Sequence, residues 1–300
     1  MRRPLLLLLL VAIATSPACS GGTAADTGIE AWLRVDGAQF FAGPMPDGTG
    51  PAVASVSLVS NDVRAGQIDK SLSGALEPGS SSVALMLDGD RGYWVLPAGT
   101  PSVASPTFPS FTTSLSFAIG MPGGSYTLDV RAVDDAGRFG PLNTDSQLTV
   151  TAFGTPPPGL LVFTLTWDTE SDLDLHVVDP TGAEIFARNM SSYVKPPPGQ
   201  QTDPNAYLSG GILDFDSNAS CLIDGRRQED VAWTETPPNG RYIARVDTFS
   251  LCGQVSAHWT VRAYSNGVVV AEAQGSSFDS DTRQPHDRGA GVKAIELNVP

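Results

Sequence analysis

Four aspartates stand in two pairs, each two residues apart in strand-like sequence: Asp172 and Asp174 in "SDLDLHVVDPTG", Asp214 and Asp216 in "GGILDFDSNAS". Side chains two apart on a strand share a face, so each pair turns away from its apolar neighbours, Leu173 and Leu175 or Leu213 and Phe215. If the two strands lie side by side, four carboxylates meet on one patch. Such a patch repels itself unless a cation, arginines or loop amides compensate. Calcium takes about six to eight oxygens from Asp, Asn and carbonyl groups, and Asn218 and Asn189 are candidates to add ligands. The chain lacks the D-x-D-x-D-G loop with a distal glutamate that marks an EF-hand, so the calcium reading rests on this geometry alone. The alternative is a solvated acidic face.

Paired carboxylates also hydrolyse glycosides, but that chemistry needs a cleft, two oppositely tuned acids and aromatics to stack the sugar. Here the spacing is that of a regular strand face, and nothing marks one acid as the proton donor. His176 falls on the face of Asp172 and Asp174 and is the one feature that invites a hydrolase reading. His258 and His286 sit in unrelated settings, and no H-E-x-x-H, G-x-S-x-G or phosphate-binding glycine loop occurs. The expectation is therefore a protein that is not an enzyme. Trp167, Trp233 and Trp259 are candidates for a carbohydrate-stacking platform, although "LTWD", "VAWTE" and "AHWTV" also suit core aromatics. A surface carbohydrate-binding module is thus the first alternative function, and a hydrolase using Asp174 and His176 the second.

The elements that must position these residues read as strands. "LLVFTLTWD" (160–168) places Leu161, Phe163, Leu165 and Trp167 on one face, and "DPTG" makes a tight turn after the acidic strand. Ser265-Asn266-Gly267 between two apolar runs signals a hairpin, and "SSVALMLDGDRGYWVLP" reads as another. "TTSLSFAIGMPGGSYTLDVRAVDD" gives two strands around a Pro-Gly-Gly turn, with a bulge expected within "DVRAVDD". No helical period persists beyond two turns, so the fold class is all-β. "GTPPPG" (154–159) reads as a semi-rigid linker, and "KPPPGQQTDPNAY" (195–207) as a long surface loop.

Two resemblances add to this. The alternation through Tyr126, Leu128 and Val130 is similar to the late strands of immunoglobulin-like and fibronectin-III-like domains, an analogy at the level of fold alone. The stretches "LTWDTESDLDLHVVDPTGAEIFARN", "GGILDFDSN", "EDVAWTETPPNGRYIARVDTF" and the V-x-A-x-x-N-G hairpin, in that order, resemble the bacterial YfaP-like domain (the DUF2135 group). That resemblance spans about 165–273 and implies an extracytoplasmic β-sandwich of surface or envelope proteins, with no established reaction. The proline-rich insertion at 195–205 and the Cys221 and Cys252 pair depart from the pattern.

"MRRPLLLLLLVAIATSPAC" has a basic start, an apolar run and small residues before Cys19, the layout of a secretory signal peptide too short to span a membrane. Its end resembles a lipoprotein lipobox, with Ser16 where leucine is common. The resemblance implies cleavage before Cys19 and lipidation there, which would hold the protein on a membrane. Ser20 after the cysteine favours the outer membrane of a diderm bacterium; the alternative is plain secretion. The expected organisation is signal peptide 1–18, lipidated tether 19–27, an Ig/fibronectin-III-like sandwich 28–153, linker 154–159 and a YfaP-like sandwich 160–300. The formal charge is −14, and loss of Arg2 and Arg3 with the signal peptide makes it more negative. Such a chain repels nucleic acid, and its three lysines (Lys70, Lys195, Lys293) form no basic patch. With Cys19 lipidated, Cys221 and Cys252 remain to pair in an exported protein; two buried free thiols are the alternative. The expected role is adhesive, scaffolding or ligand-binding, with calcium as the candidate cofactor and an unnamed protein or glycan as partner.

Overall fold

The computed structural model describes residues 32–88, 92–103, 105–193, 196–200 and 210–300. The signal peptide, Cys19 and the tether lie outside the described residues, as does most of the proline-rich loop. The strands of the first half are β1 (Leu33–Val35), β2 (Gln39–Ala42), β3 (Val53–Leu58), β4 (Asp62–Arg64), β5 (Lys70–Leu76), β6 (Ser80–Leu87), β7 (Gly92–Pro97), β8 (Ser110–Phe117), β9 (Gly124–Asp134) and β10 (Asn143–Thr151). They form a four-stranded sheet, β1-β8-β5-β3, and a six-stranded sheet, β2-β7-β6-β9-β10-β4. Alternate residues such as Leu72, Leu85, Leu115, Leu128 and Val130 bury completely between the two, the pattern that sheet-on-sheet packing requires. The alternation holds along β9 until the register of β6 against it shifts near Val133 and Asp134, inside the stretch where a bulge was expected.

The second half comprises β11 (Leu161–Trp167), β12 (Asp172–Val178), β13 (Glu184–Ile185), β14 (Gly211–Leu213), β15 (Gln228–Trp233), β16 (Gly240–Ser250), β17 (Ser256–Ser265), β18 (Val268–Phe278) and β19 (Val292–Val299). A five-stranded sheet, β14-β15-β11-β17-β18, faces a four-stranded one, β13-β12-β16-β19. Phe163 and Tyr242 stack at 5.9 Å between the sheets, with Trp233 edge-on to both. The β17–β18 hairpin turns at Asn266 and Gly267, both at positive φ, as a two-residue loop demands. Both halves are therefore β-sandwiches, in accord with the all-β expectation. Each also fastens a strand start in the same way. Tyr126 Oη donates to the Pro122 carbonyl at 3.1 Å, and Tyr242 Oη to the Pro238 carbonyl at 2.7 Å, the tyrosine corner of immunoglobulin-like folds. Residues 152–160, where the linker was expected, form no strand. No helix among the described residues is long and apolar enough to cross a membrane.

Candidate metal centre

β12 is held along its length by β16, but β13 pairs with it only at Val177 and Val178. Leu173, Leu175 and Val177 enter the core, and Asp172, Asp174 and His176 take the opposite face, as the alternation dictates. That face is not wet. Asp172 is 1% exposed, Asp174 6% and His176 1%. Around Asp172 and Asp174, Phe186–Arg188 after β13, the turn at Ala219 and Ser220, and His286 before β19 close in to leave a cavity of about 220 Å³. A solvated acidic face is thus overturned. The covering pieces are irregular loops, and no period in β12 itself announces them.

The second aspartate pair behaves differently from the expectation. β14 pairs with β15 in the opposite sheet, so it does not lie beside β12, and the chain leaves strand geometry after Leu213. Asp214 and Asp216 then part. Asp216 joins Asp172 and Asp174, with one ligand atom of each within 4.8 Å of the others. That span is about twice a calcium–oxygen distance of roughly 2.4 Å, so one ion can touch all three. Asp214 instead accepts from Arg64 Nη2 at 3.2 Å and from the Asp230 amide at 3.0 Å. Asn218 is also committed elsewhere: Nδ2 donates to the Ser171 carbonyl and Oδ1 accepts from the Asp224 amide. Asn189 donates to the Glu184 carbonyl at 2.6 Å. Of the six residues named as candidate ligands, the structure brings together Asp172, Asp174 and Asp216; Asp214, Asn218 and Asn189 spend their polar atoms on other partners.

The three carboxylates are electrostatically unfinished. Asp172 Oδ2 accepts from the Ser220 amide at 2.7 Å. Its buried Oδ1 has no hydrogen-bond partner among the described residues, although leaving such an atom unsatisfied costs about 1–3 kcal/mol. Burial, then the charges of Asp216 and Asp247, pushes Asp172 up to about 7 against the Ser220 amide. Burial likewise raises Asp174 to about 8, with Asp172, Asp216 and Asp247 adding to it and Arg188 opposing. Asp216 rises through burial and the nearby Asp224. A group of acids so placed either holds protons or holds a cation.

Two further acids complete the field, and residue patterns had not singled them out. Asp247 on β16 lies directly across from Asp174 in the ladder and accepts from His286 Nδ1 at 2.8 Å. Glu229 on β15 is fully buried and accepts from the Leu175 amide at 2.7 Å and the Ser217 amide at 3.1 Å. It caps the β12 edge where β13 stops short, and burial with the charge of Asp174 holds its carboxyl well above the usual range. The sequence signal was available: "QED" opens a strand that ends in the apolar "VAW", so the acid at its second position shares a face with Val231.

His176 shares a face with the acids, but its Nδ1 bonds Glu184 Oε1 at 2.9 Å and its ring stacks on Phe186 at 4.5 Å. Glu184 in turn accepts from the Gly289 amide. The ring thereby ties β12 to the loop before β19. The three tryptophans proposed for sugar stacking are 2%, 1% and 7% exposed (Trp167, Trp233, Trp259), so they pack the core and present no platform. Cys221 and Cys252 form the expected disulfide, Cα to Cα 5.4 Å. It pins a turn in which Asn218, Ser220 and Cys221 all take left-handed φ, a strained backbone that survives only when its surroundings over-determine it.

The fold and site together define a tandem β-sandwich with a buried acidic cluster. No family model matches the chain. Nor does any curated protein match its sequence. Among solved structures, the fibronectin(III)-like modules of Clostridium thermocellum CbhA align at TM-score 0.22 and 13% identity, over 78% of this chain and 98% of theirs. SGBP-B of the Bacteroides ovatus mixed-linkage glucan utilization locus, in complex with a mixed-linkage heptasaccharide, aligns at 0.21 and 12%, over 72% and 53%. The Streptomyces avermitilis alpha-L-rhamnosidase complexed with L-rhamnose aligns at 0.21 and 13%, over 82% and 27%. TM-scores this low bear on neither the architecture nor the activity of this chain.

Proposed function

We propose that the chain is a non-catalytic envelope lipoprotein whose second sandwich binds a divalent cation, calcium, and serves an adhesive or scaffolding role. The observation that carries the reading is the meeting of Asp172, Asp174 and Asp216 around a buried Asp172 oxygen, without a partner among the described residues, beside a small cavity. An all-oxygen, all-anionic ligand set suits a hard cation, and the cavity leaves room for water to complete the shell. The YfaP-like motifs support an extracytoplasmic setting, and the lipobox-like segment supports anchoring through Cys19, on the outer membrane of a diderm bacterium. Acidity speaks against nucleic-acid partners. The carbohydrate-binding alternative loses its proposed platform with the burial of the tryptophans, and His176 is engaged in holding loops together, which removes the feature that invited a hydrolase.

A thermal melt of the full chain in millimolar calcium against chelator tests this. A ligand at about 100 times its Kd stabilises the folded state by about 2.7 kcal/mol, so the melting midpoint rises by several degrees. A midpoint unchanged by calcium contradicts the reading.

A further inference from the structure

We propose that the cation at Asp172, Asp174 and Asp216 regulates the joint between the two sandwiches, an inference that rests on the cation reading above. Two of the three acids sit on β12, which the ladder with β16 holds in place. The third, Asp216, sits on the irregular segment that follows β14. Where the three acids are ionised, mutual repulsion in the cation-free state therefore acts between β12 and this segment, and a shared ion draws the two together.

That piece is also what the first sandwich rests on. Two residues before Asp216, Asp214 accepts from Arg64 of β4 at 3.2 Å, and Arg64 lies 3.8 Å from Asp230 as well. Phe215, between the two aspartates, lies under the Arg226 guanidinium at 3.8 Å. Asp224 gathers the Ser217 hydroxyl and the amides of Asn218 and Arg226 on its carboxylate. Its own carbonyl accepts the Ile68 amide of the first sandwich at 3.1 Å. Next to it, Gly225 and Gly66 approach so closely that a Cβ on Gly225 would stand 2.2 Å from the Gly66 carbonyl oxygen.

The route from cluster to joint is thus a continuous set of short contacts within residues 214–226. The disulfide and the left-handed turn at 218–221 keep that segment from absorbing a displacement locally. What the segment meets on the other side is a few polar contacts, the kind of interface across which domains move unless something fixes them. A cation that favours one position of Asp216 accordingly favours the docked arrangement of Arg64 and Ile68.

Hydrogen exchange on the full chain, with calcium or with chelator, tests the coupling. Calcium should slow exchange in peptides covering 172–176 and 216–221, and also about tenfold in the peptide covering 64–70, which touches no ligand. Arg64→Ala should abolish the slowing at 64–70 and leave it at 172–176; Arg64→Gln offers the same test where Arg64→Ala unfolds. Slowing at the cluster with none at 64–70 overturns the coupling and leaves the cation site standing. Slowing at neither place overturns the cation reading and the coupling with it.

Discussion

Asp172 spends one carboxylate oxygen on the Ser220 amide and leaves the other buried without a partner among the described residues. Replacing it or Asp174 by asparagine removes a carboxylate whose buried charge a proton or a cation must offset. Asp174→Asn should therefore raise the melting midpoint in chelator by a few degrees at pH near 8, about 1–2 kcal/mol, and erase the rise that calcium gives the parent chain. A variant that still responds fully to calcium would place the ion elsewhere. The same acids set the pH dependence. Burial holds Asp172 near 7, Asp174 near 8 and Asp230 near 7, against 3.8 when unfolded. Between those values these acids bind more protons in the folded chain than in the unfolded one, so their contribution to stability is full below about pH 4 and is lost as pH rises through 7 and 8. Chelated protein should melt lower at about pH 8.5 than at about pH 6, while the calcium-induced rise grows over the same interval. A chelated midpoint that climbs with pH would refute this ordering.

At the scale of elements, the segment 214–228 links the acids, the disulfide and the buried Glu229. Serine at both Cys221 and Cys252 should lower stability by about 2–4 kcal/mol and weaken calcium binding, because the turn presenting the Ser220 amide to Asp172 loses its pin. Denaturant melts and calcium titrations of that variant check both effects. The strands that carry the site were legible in the sequence: "DLDLHVV" alternates, "DPTG" turns, and Asn266-Gly267 closes a hairpin. What alternation could not disclose is whether a polar face meets water. On β12 the covering loops come from residues 186–188, 219–220 and 286, far apart in sequence and without period. Asp214 and Asp216 were misread for a related reason. Their two-residue spacing implies one face only while the strand continues, and β14 ends at Leu213.

For the whole molecule, two sandwiches of different strand order meet through Arg64, Ile68 and the Asp214–Gln228 segment, contacts between residues about 150 apart that no local pattern encodes. The fold class was readable because turn signals act locally. The joint was not, since it depends on which charges face each other after folding. The proposed anchoring belongs to this scale too. Cys19→Ser should move the protein from the membrane to the soluble fraction, and continued membrane association of the variant would argue against lipidation. The most direct measurement of the central claim is a calorimetric titration of calcium into the full chain at about pH 8, beside the Asp172→Asn, Asp174→Asn double variant. One saturable site in the parent chain, absent from the double variant, is the predicted result. No saturable binding, or binding that survives the double substitution, would contradict a cation held by Asp172, Asp174 and Asp216.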